Sequence, residues 1–273
     1  MLRRNRQIRS GAPVTMRVPS HCPDAPMRTV LTALQTLVLL LTTVSLHAEV
    51  PTDDENWEKA VDSDGIEVHT RNLENSRIDA FRAETVLDAP LEAVMAVMAN
   101  PESCMEWVHQ CSHAENLEGG SFRDRYAYSI NDMPWPVSDR DYVLHITTHT
   151  GESRDHIIIE MESVDGRVGK KDGYVRMPES STVYEFSREG ENRTRIVWYQ
   201  HAAPGGSLPN WLVNQLATDI PYESLRTLND VVQKERYQGH ELAFDKEGRL
   251  VDVIPPEENV TPDSEPTPDA EGG

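Results

Sequence analysis

Between residues 56 and 237 apolar and polar positions mostly alternate with a period of two, and in only two places does the period lengthen to that of a helix. Ile66 to Arg71 follows the turn Asp64-Gly65 and reads as a strand. Phe81, Ala83, Thr85 and Leu87 share one face of the next, with Arg82 and Glu84 on the other. Further strands are predicted over Arg123–Ile130, Arg140–Thr148, His156–Ser163, Thr182–Ser187 and Thr194–Ala202. Thr150-Gly151, Asp165-Gly166 and Glu189-Gly190 supply turns between them. Leu91, Val94, Met95 and Met98 recur at helical spacing after Pro90, and Asn100-Pro101 stops that helix. A second helix begins at Leu208-Pro209 and carries Leu212, Leu216, Ile220, Leu225, Leu228 and Val232 on one side. Pro221 lies inside it, where loss of one backbone bond predicts a kink or a split near Ala217–Ile220.

Strands first and one long apolar-striped helix last fit an antiparallel sheet wrapped around that helix, an α+β architecture. The folded unit is read as residues 56–237. Residues 238–273 form an acidic, mostly disordered tail, within which Leu242 to Val253 can hold a loose hairpin around Glu247-Gly248. From Pro255 onward repeated Pro and acidic residues with almost no apolar content cannot offset the entropy of ordering.

Residues 1–48 read as leader material. Arg28 precedes an apolar run from Val30 to Leu46, and Leu46-His47-Ala48 suits cleavage near Ala48, with a retained membrane anchor as the alternative. The run is short for a membrane span, which favours cleavage and a periplasmic or secreted protein. The basic residues ahead of it are either a long n-region or the result of a start upstream of Met16 or Met27. The whole chain carries a net charge of −20. Removing a leader with six arginines and one aspartate takes this to −25. Such a surface repels nucleic acid and anionic headgroups, so no nucleic-acid partner is expected.

Asn131-Asp-Met-Pro-Trp-Pro-Val-Ser-Asp-Arg-Asp-Tyr-Val143 is a Pro-stiffened loop that delivers the chain into a strand. Its Pro134-to-Val143 part resembles the Pro-rich turn and Arg-Asp-aromatic motif of START (lipid-transfer) domains, within the Bet v 1-like helix-grip class. Three other stretches resemble the same family in its order: Trp57 with Asp64 to Arg71, Leu87 to Val94 ending at Trp107, and Leu208 to Asn214. The resemblance implies a curved antiparallel sheet gripping the C-terminal helix, with a tunnel for one lipid or sterol between them. Alternation then names the inward rows: Tyr142, Leu144 and Ile146; Ile157, Ile159 and Met161; Tyr184 with Phe186; and Ile196 with Trp198. Trp211, Leu212 and Leu216 would cover them from the helix, and Trp135 could gate the tunnel or pack under its loop. The family often carries a charged residue on the cavity face after its Arg-Asp-aromatic motif; Leu144 and Ile146 stand there instead, which leaves the ligand class open. Arg140 is expected to bind neighbouring carboxylates or loop carbonyls.

Cys104-Met-Glu-Trp-Val-His-Gln-Cys111-Ser-His113 is the densest chemical cluster. In an oxidising compartment Cys104 and Cys111 are expected to form a disulfide. Seven residues of one helix would separate the two Cα atoms by about 10 Å, so the bond requires the helix to end near Pro101 and the chain to loop around Trp107. His109, Cys111 and His113 do not match a familiar closed metal site, and no metal or cofactor is expected. No nucleophilic triad, nucleotide loop or paired carboxylates stand out, so a carrier is expected and not an enzyme. The alternative is a helix-grip enzyme of the cyclase or hydrolase kind, for which Tyr126, Tyr128 and His145 are the candidates. A third reading is an envelope interaction module with a filled core. Partners are thus a lipid or other hydrophobic small molecule, with transient membrane contact.

Overall fold

In the computed structural model, residues 50–257 are described, apart from Asp54, Asn75 and the side chains of Asn210, Trp211 and Asn214. The leader, its cleavage point and the tail beyond residue 257 lie outside the described residues. Among those described, no helix is long and apolar enough to cross a membrane.

A single antiparallel sheet dominates. Its strands are β1 (Glu58–Ser63), β2 (Ile66–Arg71), β3 (Ala80–Leu87), β4 (Cys111–Ser121), β5 (Asp124–Asn131), β6 (Arg140–Thr150), β7 (His156–Ser163), β9 (Glu179–Arg188) and β10 (Thr194–Ala203). They lie side by side in the order β1-β2-β3-β10-β9-β7-β6-β5-β4, and the two-residue β8 (Val175–Arg176) adds a parallel bridge to β6. Only the β3–β10 pairing joins strands far apart in sequence, with Ala83 opposite Trp198. Two strands extend or escape the sequence reading for one reason. Ser180, Ser181 and Thr182 pair and are buried within β9 despite their polarity, and β4 is a largely exposed, bulged edge strand with no clean alternation.

Helix α1 (Leu91–Ala99) starts after Pro90 and carries Glu92 in its first turn, where a carboxylate complements the helix dipole. Seven of its nine residues are buried, as expected of a helix that is apolar all round. Arg188 of β9 holds Glu92 at 2.6 Å and fastens the helix to the sheet. After the turn Pro101–Ser103 comes the four-residue α2 (Cys104–Trp107), then Gln110 at φ 71° reverses the chain into β4. Cys104 and Cys111 are thereby brought to a Cα separation of 5.9 Å and bonded, the loop around Trp107 meeting the geometric requirement.

Helix α3 (Asn210–Val231) runs across the sheet as one continuous element, so Pro221 does not split it. The proline loses one helical bond, but Ile220 and Tyr222 on either side pack against the core. Leu225, Leu228, Val231 and Val232 are fully embedded there. Ordered chain continues past Tyr237, through the hairpin expected over Leu242 to Val253. Strands β11 (Glu241–Phe244) and β12 (Leu250–Ile254) pair as a hairpin, Leu250 and Val253 join the main core, and the Leu250 amide donates to Thr150 Oγ1 at 2.8 Å. Two buried apolar side chains and a tie to β6 suffice to order a segment whose composition alone reads as tail.

Candidate functional site

The sheet registers sort the inward side chains into cross-strand rows. Arg125, Ile146, Met161, Thr182, Gln200 and Phe81 form one row from β5 to β3. Thr148, Ile159, Tyr184, Trp198 and Ala83 form the next, and Thr150, Ile157, Phe186, Ile196 and Thr85 the one beyond. The last of these rows is filled, with Ile157, Phe186 and Ile196 fully buried in the main core alongside α1 and the hairpin β11–β12. Ahead of the filled end a cavity of about 130 Å³ remains.

Of the expected lining residues, Tyr142, Leu144, Ile146, Met161, Tyr184 and Trp198 do border this cavity. Ile157, Ile159 and Phe186 point the same way but pack in the solid core, because α1 and the hairpin occupy that end of the groove. Leu212 packs with Ile78, Leu208 and Leu216 beneath the start of α3 and does not reach the cavity; Leu216 borders a second, smaller one of about 50 Å³. The side chain of Trp211 lies outside those described. Trp135 is 91% exposed and lines neither of these two cavities. The Val137 amide closes a turn onto the Pro134 carbonyl at 3.0 Å, and Met133 and Val137 take the inward positions against the Leu208 cluster, which leaves Trp135 pointing to solvent.

Sequence reasoning missed the polar lining. Ser129, Asn131, Ser180, Thr182 and Gln200 edge the cavity, and so does Arg125, a guanidinium only 7% exposed. Their parity with Ala127 on β5 and Tyr184 on β9 was the available signal. Burial pushes the Arg125 guanidinium down to about 10, so it stays charged at neutral pH. Trp107 from the disulfide loop roofs the cavity and packs edge-on against Trp198 at 5.9 Å and Tyr184 at 6.1 Å. Burial raises the Tyr142 hydroxyl to about 12, and it donates to Asn131 Oδ1 at 3.1 Å. The cavities continue toward solvent. The first two share Asn131, Met177, Gln200 and Ile220, and the second shares Asp79 and Ala217 with a polar surface recess of about 440 Å³. This path runs beneath the N-terminal half of α3, from Val213 to Ile220.

The candidates for catalysis lie elsewhere. Tyr126 stacks on His145 at 4.6 Å, and His145 meets Asp124 at 2.9 Å, all on the parity opposite to Arg125 and Ala127. Tyr128 donates to Asp141 at 3.1 Å, and burial followed by that bond raises its hydroxyl to about 12. Cys111 is engaged in the disulfide and cannot join His109 and His113 around a metal. The Arg-Asp pair of the motif is structural. Arg140 donates to the carbonyls of Ser138, Pro204 (3.2 Å) and Gly205 (3.1 Å). Asp141, 1% exposed in its side chain, takes two bonds from Arg176 at 2.9 and 3.0 Å.

The profile of the START domain matches residues 42–237. The uncharacterized protein PA1579 of Pseudomonas aeruginosa is 30% identical over 183 residues, which are 66% of this chain and 88% of that one. The phosphatidylcholine transfer protein of Mus musculus is 23% identical over 171 residues, 59% of this chain and 77% of the relative. Among solved structures, the STAR-related lipid transfer protein from Xanthomonas axonopodis has a TM-score of 0.61 at 30% identity, covering 66% of this chain and all of that one. Human STARD10, at TM-score 0.60 and 17% identity over 78% of this chain and 82% of its own, shares the fold.

Proposed function

The chain belongs to the START domain family, and on that footing we propose that it encloses a hydrophobic lipid beneath α3 and carries it between membranes of the cell envelope. The observation that carries this reading is the mostly apolar cavity between sheet and helix, continued by a path to the surface under Val213–Ile220. Burial of ligand carbon there drives binding at roughly 25 cal/mol per Å² before ordering costs. We read the protein as a carrier and not a catalyst. The described lining of the main cavity is mostly apolar, with Arg125, two tyrosines and neutral polar groups, which supports a binding role.

A void of about 130 Å³ lies below the roughly 300–1,000 Å³ of a ligand pocket, so loading requires the site to expand. The construction of α3 points to where. Its C-terminal half is anchored by Leu225, Leu228 and Val231 in the core and by Ser224 Oγ, which accepts from the His109 amide at 2.9 Å. Its N-terminal half covers the cavities, and Pro221 lies at the junction. Swinging residues 210–220 outward about Pro221 merges the cavities and opens the mouth. Trp135, exposed beside that half, is then the contact with a bilayer interface.

The same reading places the protein outside the cytoplasm after cleavage near Ala48; the Cys104–Cys111 bond supports an oxidising compartment. The test is native mass spectrometry and lipid extraction of protein purified from the periplasmic fraction, followed by transfer of a labelled phospholipid between two vesicle populations. Co-purified lipid and accelerated transfer are expected. Protein without bound lipid that also leaves the transfer rate at its spontaneous value would sink the carrier reading.

A further inference from the structure

The cavity contains one formal charge among its described lining residues, the guanidinium of Arg125, in a molecule whose net charge is −20. Acidic residues are abundant, yet none among the described residues pairs with it. Nη1 donates to the Phe122 carbonyl and to Thr148 Oγ1 at 3.3 Å, and Nη2 donates to the Met98 carbonyl at 3.3 Å. All three acceptors are neutral. The Phe122 ring lies against the guanidinium at 5.2 Å, and Met98 is in the last turn of α1, whose dipole presents partial negative charge. These contacts orient the group without neutralising it. Five N–H donors minus three leaves Nε and one hydrogen of Nη2 unengaged among the described residues, two donors of one guanidinium free for an oxyanion.

The other well-buried arginines are different. Arg176 is neutralised by Asp141, and Arg140 spends its donors on loop carbonyls away from the cavity. A buried cation without a counter-ion is costly unless something neutralises it, and Arg125 is the one placed where a ligand could. The rest of its cross-strand row, Ile146 and Met161, is apolar, which suits a chain following a charged head.

We propose that Arg125 is an oxyanion-recognition group and that the cargo is an anionic amphiphile, whose carboxylate or phosphate seats on this guanidinium while its hydrocarbon runs along the cavity toward α3. This deepens the carrier reading and rests on it. It also reconciles a repulsive exterior with an anionic cargo, since the outer acidity acts on encounter and the single interior charge acts once the head is desolvated.

The experiment measures binding of four probes to the full-length exported protein by titration calorimetry and native mass spectrometry. They are hexadecanoate, hexadecanol, dihexadecanoyl phosphatidic acid and dihexadecanoyl glycerol. Each anion is matched to a neutral partner of equal chain length, and the two pairs separate carboxylate from phosphate recognition. The wild type is expected to prefer at least one anion over its neutral partner by roughly tenfold or more. In Arg125→Gln that ratio falls to near one. Arg125→Lys, which keeps the charge but not the fork, falls between the two. Equal binding of anion and neutral partner by the wild type, or an unchanged preference in Arg125→Gln, overturns the proposal and leaves the carrier reading standing. Failure of all four probes to bind sinks the carrier reading itself. Should Arg125→Gln not fold, the wild-type ratios and Arg125→Lys decide the matter, an undiminished preference in Arg125→Lys counting against recognition through the two free donors.

Discussion

Arg140 donates from Nη2 to the carbonyl oxygen of Gly205 at 3.1 Å, tying the first residue of β6 to the loop that launches α3. Gly205 and Gly206 both have positive φ (67° and 63°), so this loop presents its carbonyls in a conformation that favours glycine. The Arg-Asp pair of the motif therefore acts as a clamp between the sheet and the covering helix, and neither of these two side chains borders the cavity, which only the following Tyr142 reaches.

Replacing Arg140 by Gln removes a buried guanidinium from three carbonyls at once. Loss of about 2–4 kcal/mol in urea unfolding is expected, together with faster amide exchange at the start of α3. Unchanged exchange in residues 208–216 would contradict the clamp.

Asp141 and Arg176 form the buried ion pair behind that clamp. Burial alone pushes the Asp141 carboxyl up, but the bonds from Arg176 and Tyr128 outweigh it and hold the group below its ordinary value near 3.8. A depressed carboxylate stabilises the fold above the unfolded value and loses that contribution as pH falls through the folded one, here below about pH 3.8. Arg176→Met should cost about 3–5 kcal/mol at neutral pH by stranding the carboxylate. With burial no longer opposed by the pair, the deficit should shrink as pH is lowered, and denaturant titrations from pH 7 to pH 4 would reveal the reversed slope.

The Cys104–Cys111 bond closes a short loop that seats Trp107 over the cavity. Reduction, or a Cys104→Ser/Cys111→Ser double variant, should lower stability by about 2 kcal/mol. Trp107 fluorescence should shift toward the red in the same step, because the ring loses its fixed place against Trp198 and Tyr184.

Ala127 faces the cavity from β5 and is almost fully buried. Ala127→Phe extends a ring into existing void, so its stability should stay within about 1 kcal/mol of wild type. Lipid recovered by extraction should fall by roughly tenfold, since a lipid and the new ring compete for one volume. Undiminished lipid with an intact fold would place the ligand elsewhere.

Trp135 offers the opposite signature. Because its side chain is exposed, Trp135→Ala should change urea midpoints negligibly, within about 0.5 kcal/mol. Vesicle association and transfer rate should nevertheless drop, as measured by co-sedimentation and by transfer of labelled phospholipid. Equal transfer by both forms would remove this residue from the membrane contact.

Much of the fold was legible because it is written in short-range patterns. Period-two runs located β2, β7 and most of the remaining strands, and Pro90 with Asn100-Pro101 bounded α1 almost to the residue. Reading failed where tertiary context overrode local polarity. Ser180 and Ser181 became buried strand ahead of the expected start at Thr182, because β10 supplies backbone partners to both and β7 to Ser181. The hairpin of β11 and β12 was expected over Leu242 to Val253, but not its packing against the main core, which its own composition does not announce.

Alternation by itself determined which face of each strand turns inward, because side-chain parity is a property of the extended backbone. It could not determine which inward side chains border empty space. Ile159 and Met161 share one strand and one face, yet only Met161 borders the cavity, because α1 and the C-terminal hairpin fill the sheet from one end. Nor could it show that Arg125 stands across from Ile146, bringing from the neighbouring strand the charge that Leu144 and Ile146 do not provide. Register between strands and the volume left by packing are long-range quantities, set by many residues together, and only the assembled tertiary structure decides them.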